Sequence, residues 1–107
     1  MFDQFIKSGR EALRKIKDYR RVAIEVKKIV KAKYPKAKVL VFGSAVEGDF
    51  TASSDIDILV VQDGISNDYD LKARILVEVD APIELHFVSE KEFNEWYLRF
   101  IKRIEDV

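Results

Sequence analysis

The sequence predicts a small α+β domain in which helices cover a mixed β-sheet of three or four strands. Three observations predict it. Apolar residues recur at helical spacing through most of the first third. Three short runs, at residues 39–42, 55–62 and 83–88, have the length and β-branched character of strands. Turn and cap signals (Tyr34-Pro35, Gly43-Ser44, Asp63-Gly64 and Asp80-Ala81-Pro82) separate these segments. At 107 residues the chain is read as one domain, 1–107, too short for a second substrate domain. It divides into a basic helical region (1–37), a core rich in motifs (38–90) and a C-terminal helix (89–107).

Taken in order, Phe2, Phe5, Ile6, Leu13 and Ile16 and then Val22, Val26, Ile29 and Val30 form one apolar stripe. Ser8-Gly9-Arg10-Glu11 has the form of a capping box, so a short first turn and then one long helix over about 9–33 are expected. Tyr34-Pro35 ends it. The strand at 39–42 stops at Gly43-Ser44, and a short helix is expected from Ser44. The loop 43–54, rich in Gly, Ser, Thr and Ala, suits a connection facing a ligand. After the second strand, residues 66–69 offer helix caps. Leu71, Ile75, Leu76 and Val79 then mark an amphipathic helix. In the third strand Ile83, Leu85 and Phe87 share one face and Glu84, His86 and Val88 the other. Ser89-Glu90-Lys91-Glu92 is a second capping box, expected to lead a helix to about residue 104. The further edge strand that the sheet has room for is not placed by the pattern.

Chemistry concentrates in residues 41–61, VFGSAVEGDFTASSDIDILVV. Alternation along a strand sends Asp55 and Asp57 to one face while Ile56 and Ile58 enter the core. No basic residue lies between Asp49 and Gln62, so two neighbouring carboxylates would repel unless they share a cation or a proton. An oxygen-only donor set favours Mg²⁺ over zinc. Gly43 allows a close backbone approach, and a helix starting at Ser44 would offer free N–H groups to phosphate. A metal site beside a phosphate site suggests a nucleoside triphosphate.

Gly43-Ser44, ten intervening residues and Asp55-Ile56-Asp57 resemble the G-S-x(10)-D-x-D signature of the DNA polymerase β-type nucleotidyltransferase superfamily. The small size resembles its minimal nucleotidyltransferases, the class that often pairs with HEPN-domain proteins in toxin–antitoxin modules. The resemblance covers roughly residues 38–90 and implies a polymerase β-like nucleotidyltransferase core with the first two strands adjacent. It also implies a third carboxylate on a neighbouring strand, for which Glu84 is the matching position. In these terms Asp55, Asp57 and Glu84 are the catalytic and Mg²⁺-binding residues, Glu84 serving as third ligand or base, and Gly43 and Ser44 are the nucleotide-binding ones. The implied reaction transfers a nucleoside monophosphate, AMP from ATP, to an acceptor hydroxyl, with a HEPN-type partner protein as the implied acceptor. His86 shares the face of Glu84 and reads as an incidental strand residue. One position departs from the pattern: the family often has G-S-x-A-R-G, and here the stretch is GSAVEG. Glu47 in place of a cation weakens the case for ordinary catalysis. It favours the alternative of a non-catalytic antitoxin or interaction module that keeps the fold.

The remaining classes are bounded by composition. There is no cysteine, which excludes disulfides and thiolate sites. No apolar run approaches the length of a membrane span and the first residues lack a signal-peptide core, so a soluble cytoplasmic protein is expected. Residues 1–38 carry 13 Lys/Arg against 4 Asp/Glu, and residues 39–107 carry 6 against 15. The balanced total argues against a dedicated nucleic-acid binder, although the basic half keeps a nucleic-acid-directed transferase as a further alternative. Phe93, Trp96, Tyr97, Phe100 and Ile101 crowd the last helix, and a homodimer or a partner surface is expected there.

Overall fold

A computed structural model describes the backbone of residues 2–107 and the side chains from residue 8 onward. The order is α1 (Phe2–Lys17), α2 (Tyr19–Lys33), β1 (Lys38–Phe42), α3 (Ser44–Glu47), β2 (Ile56–Val61), α4 (Tyr69–Glu78), β3 (Ile83–Val88), a helical segment over 90–100 that we call α5, and β4 (Ile104–Asp106). The four strands form one mixed sheet in the order β3-β2-β1-β4. β1 runs antiparallel to β2 and β4, and β2 runs parallel to β3. The expected neighbourhood of the first two strands is therefore present, with the third on the far side of the second.

The strands sort their residues by parity. Val39 and Val41 of β1, Ile56, Ile58 and Val60 of β2 and Leu85 of β3 point to one face, where they meet Val22, Val26 and Val30 of α2 and Leu71 and Ile75 of α4. Leu40, Leu59, Val61 and Val88 point to the other, where Phe93, Tyr97 and Ile101 pack over them beside Phe42 and Ile104. The first face carries most of the core, and the second is left open at the end where β2 begins. The continuous apolar character of β2 follows, because from Ile58 to Val61 it is buried on both sides.

Two expected helices are corrected. The long helix over 9–33 is two helices, broken at Asp18 (φ −94°, ψ 32°), whose carbonyl accepts from the N–H groups of Arg21 and Val22. Aspartate competes poorly as an interior helix residue, and the bend lets Tyr19, Val22, Ala23, Val26 and Val30 all bury. Ser8 and Gly9 lie inside α1, so the capping box read there starts no helix. Of the first stripe, the side chains of Phe2, Phe5 and Ile6 lie outside the described residues.

The last helix stops at Phe100, and Ile104, expected at its end, opens β4 on the free edge of β1. Unpaired backbone along that edge needs partners, and β4 supplies them over three residues. Glu105 secures the strand from the helical side: the Tyr19 hydroxyl donates to it at 2.8 Å and the Arg20 guanidinium at 3.0 and 3.1 Å. Those hydrogen bonds, that of Tyr19 first, hold the Glu105 carboxyl below its ordinary range. Lys27 donates to the Val107 carbonyl, and the Val107 N–H to Val39. The capping box at Ser89 is present with both of its reciprocal bonds.

Candidate active site

Asp57 is the second residue of β2, with Phe42 of β1 as its cross-strand partner on one side and Glu84 of β3 on the other. All three stand on the open face of the sheet. His86 is two residues along β3 on the same face, and its Nε2 lies 3.4 Å from Asp57 Oδ1 and 3.9 Å from Glu84 Oε1. One ligand atom from each of Asp57, Glu84 and His86 falls within 4.8 Å of the other two. Asp57 and His86 are half-buried, with side-chain exposures of 22% and 23%, whereas Glu84 is at 58%. His86 is held in place by aromatic neighbours, the Phe42 ring at 5.2 Å and the Tyr97 ring at 6.1 Å.

Gly43 closes the other side of Asp57. Its φ is +81°, a left-handed conformation that disfavours any side chain. A Cβ at this position would fall 2.2 Å from Asp57 Oδ2 and 3.1 Å from its Cγ. The close approach that the sequence assigned to a ligand is thus made to the carboxylate itself, and backbone and side chain fix one another. Ser44 follows as the first residue of α3, half-buried, and Ala45 and Val46 anchor that turn in the core. Glu47 ends it, exposed.

Of the predicted residues the structure brings together Asp57, Glu84 and Gly43, with Ser44 adjoining. Asp55 is exposed and precedes Ile56, the first residue paired in the parallel ladder, so it stands outside the group of three. Strand parity controls a side chain only inside the ladder. His86 enters the group although the sequence reading set it aside. The one available signal was its shared face with Glu84 two positions away.

Among the described residues neither Asp57 nor Glu84 is paired with Lys or Arg; the sole cationic candidate at either is His86. Two carboxylates side by side without such a partner form a donor set that fits a divalent cation. Near them, burial first and then the Glu92 and Glu84 charges push the Tyr97 phenol above its ordinary value, so its hydroxyl stays protonated.

A family model described as a nucleotidyltransferase domain matches residues 23–106. The chain belongs to the nucleotidyltransferase domain family. Within it, a Methanocaldococcus jannaschii protein provisionally named a protein adenylyltransferase is 42% identical over 60 residues, which cover 54% of this chain and 59% of that relative. The chain thus matches less than two thirds of that protein's length. A crystal structure provisionally described as a nucleotidyltransferase aligns with a TM-score of 0.59 at 30% identity, covering 78% of this chain and 94% of its own. Another, from Sulfolobus solfataricus, gives 0.60 at 24% identity over 94% of this chain and 83% of its own, and at that identity shares the fold alone. The mixed four-stranded sheet with its helical layer is thus a fold shared with these two solved structures. Among the described residues no helix is long and apolar enough to cross a membrane.

Proposed function

We propose that this nucleotidyltransferase domain transfers AMP from ATP to a hydroxyl on a partner protein in the cytoplasm, with Mg²⁺ held by Asp57 and Glu84. One observation carries the reading: two carboxylates placed in register on adjacent strands, unpaired with Lys or Arg among the described residues, beside a glycine whose backbone presses on one of them. Membership of the family supports nucleotidyl transfer in general, and the name of the M. jannaschii relative supports adenylyl transfer to protein.

Bound Mg²⁺ would neutralise phosphate charge and polarise the group under attack. Asp57, half-buried and fixed by Gly43 and His86, is the rigid ligand. Glu84 is the more exposed member and faces an incoming acceptor; its carboxylate takes the acceptor hydroxyl's proton as that oxygen attacks the α-phosphorus. The bond to the bridging oxygen breaks and pyrophosphate leaves. Gly43 and Ser44 seat the phosphates, and Asp55 offers a further oxygen donor from its exposed place before β2. A HEPN-type partner protein, the class the family resemblance implies, is the acceptor to test first.

Glu47, exposed one short turn beyond Gly43, favours a second reading in which the domain neutralises its partner by binding alone. Incubation with labelled ATP, Mg²⁺ and the product of the adjacent reading frame separates the two. Label on the partner that disappears with Asp57→Asn supports transfer. Stable complex formation without label on either protein overturns it and leaves the binding module.

A further inference from the structure

Two grooves on the open side of the sheet share Phe42, Phe100 and Ile101 and so form one trough. The larger, of about 570 Å³, is walled by Trp96 and Tyr97, and the smaller, of about 300 Å³, reaches Gly43, Glu47 and Lys102. Each is of the size that holds a small ligand. The ends differ in chemistry: one is aromatic, and the other combines backbone at Gly43 with a single cation. Lys102 is the only Lys or Arg lining either groove, and it makes no ion pair among the described residues.

We propose that this trough is the nucleotide seat, with Lys102 binding the polyphosphate beside Gly43 and the Trp96–Phe100 pair receiving the base. The proposal rests on the transfer reading and adds to it the residues that bind the nucleotide. Apart from His86 beside Asp57, the neighbouring titratable groups named at this end are acidic: Asp57 presses on Gly43, Glu84 stands beside Asp57, and Glu47 lines the groove itself. A polyphosphate entering there with its Mg²⁺ gains from a further cation on the protein, and Lys102 offers one from the turn that leads into β4. Because β4 pairs Ile104 with Phe42, the residue before Gly43, that turn is brought to the glycine by the sheet itself.

The aromatic end has its own peculiarity. Residues 93–97 form a π-helical turn, a wide turn that often accompanies functional sites. Phe93, Tyr97 and Ile101 pack on the sheet, while Trp96 (62% exposed) and Phe100 (72%) stack on each other toward solvent at 6.0 Å and 28°. A flat base can stack on such a pair. Glu92, which also lines this end, is engaged by the Ser89 N–H and hydroxyl, both at 3.2 Å.

Trp96 is the only tryptophan, so its emission reports the aromatic end directly. The experiment titrates the full chain with Mg·ATP, and separately with inorganic triphosphate, following Trp96 fluorescence and calorimetric heat in wild type, Lys102→Ala and Lys102→Arg. ATP is expected to change the emission and triphosphate to bind without doing so. Lys102→Ala should weaken both ligands by about tenfold or more, as for the loss of a bond between charged groups, and Lys102→Arg should restore most of that. Calorimetric binding of ATP that leaves Trp96 emission unmoved and is equal in wild type and Lys102→Ala overturns the trough while leaving the transfer reading intact. Absence of ATP binding to the wild type overturns both. Emission that responds only to the partner protein also overturns the seat and makes the aromatic pair a docking surface.

Discussion

Asp57 and Asp68 are both aspartates shielded from water, and their surroundings are opposite. Asp68 is saturated: Lys33 Nζ and the Tyr34 hydroxyl each lie 2.6 Å from its Oδ2, and the Leu71 N–H donates to Oδ1 at 3.1 Å as the cap of α4. The Lys33 bond first, then those from Tyr34 and Leu71, lower its carboxyl to about 2. Among the described residues Asp57 has a single side-chain partner, His86 at the long distance of 3.4 Å, and a second carboxylate in register beside it. The difference separates an acid whose charge the fold itself uses from one that belongs to the proposed site. Where charge is fully answered by the protein it ties helices together, and where it is left unanswered on an open face it is available to a cation.

The sharpest way to test that division is through what each side of the sheet supports. Ile58 is fully buried on the helical face. Ile58→Ala should cost about 2–5 kcal/mol of stability by chemical denaturation, enough to remove much of the fold's margin. Asp57→Asn, by contrast, should lower transfer of labelled AMP by at least about 100-fold, as for lost metal ligation, with unfolding almost unchanged. Comparable losses of stability in the two variants would erase the distinction between the faces.

Gly43→Ala stands between them, since the added methyl meets the Asp57 carboxylate and the backbone is left-handed. Both transfer and stability should fall, the latter by about 1–3 kcal/mol, read in the same assays. The smallest effect belongs to Asp68. Its folded value lies below the ordinary 3.8, so its contribution is present above about pH 4 and is lost as pH falls toward 2. Asp68→Asn should flatten the acid limb of a stability profile in that window and leave transfer at neutral pH unchanged. A loss of transfer comparable to that of Asp57→Asn would refute the assignment of Asp68 to structure.

Much of the site was legible because strand parity and short spacing are local properties. Gly43-Ser44 reads as a turn signal, the alternation around Asp57 follows from period-two geometry, the family resemblance pointed to Glu84 on the third strand, and the structure brings the three elements together. His86 was harder to see, since alternation places it on the right face but only the parallel register, with Leu59 opposite it, sets how near its ring comes to Asp57. Asp55 illustrates the limit of parity from the other side. It has the right parity on paper and lies just outside the ladder that would enforce it. The break at Asp18 was hidden by an apolar stripe that continues across it with the same spacing.

The sequence by itself determined the class of the fold, three of the four strands, the capped starts of α4 and of the segment at 90–100, and the shared face of Glu84 and His86 on the third strand. Hydrophobic period, cap chemistry and glycine placement act over a few residues, so they can be read without neighbours. Tertiary structure alone decided that residues 104–106 would become a strand rather than the end of a helix, because the unpaired edge of β1 lies some 60 residues back in the chain. It alone carried Lys102 to the side of Gly43 and turned Trp96 and Phe100 outward, since those placements depend on which strand edge was left to fill.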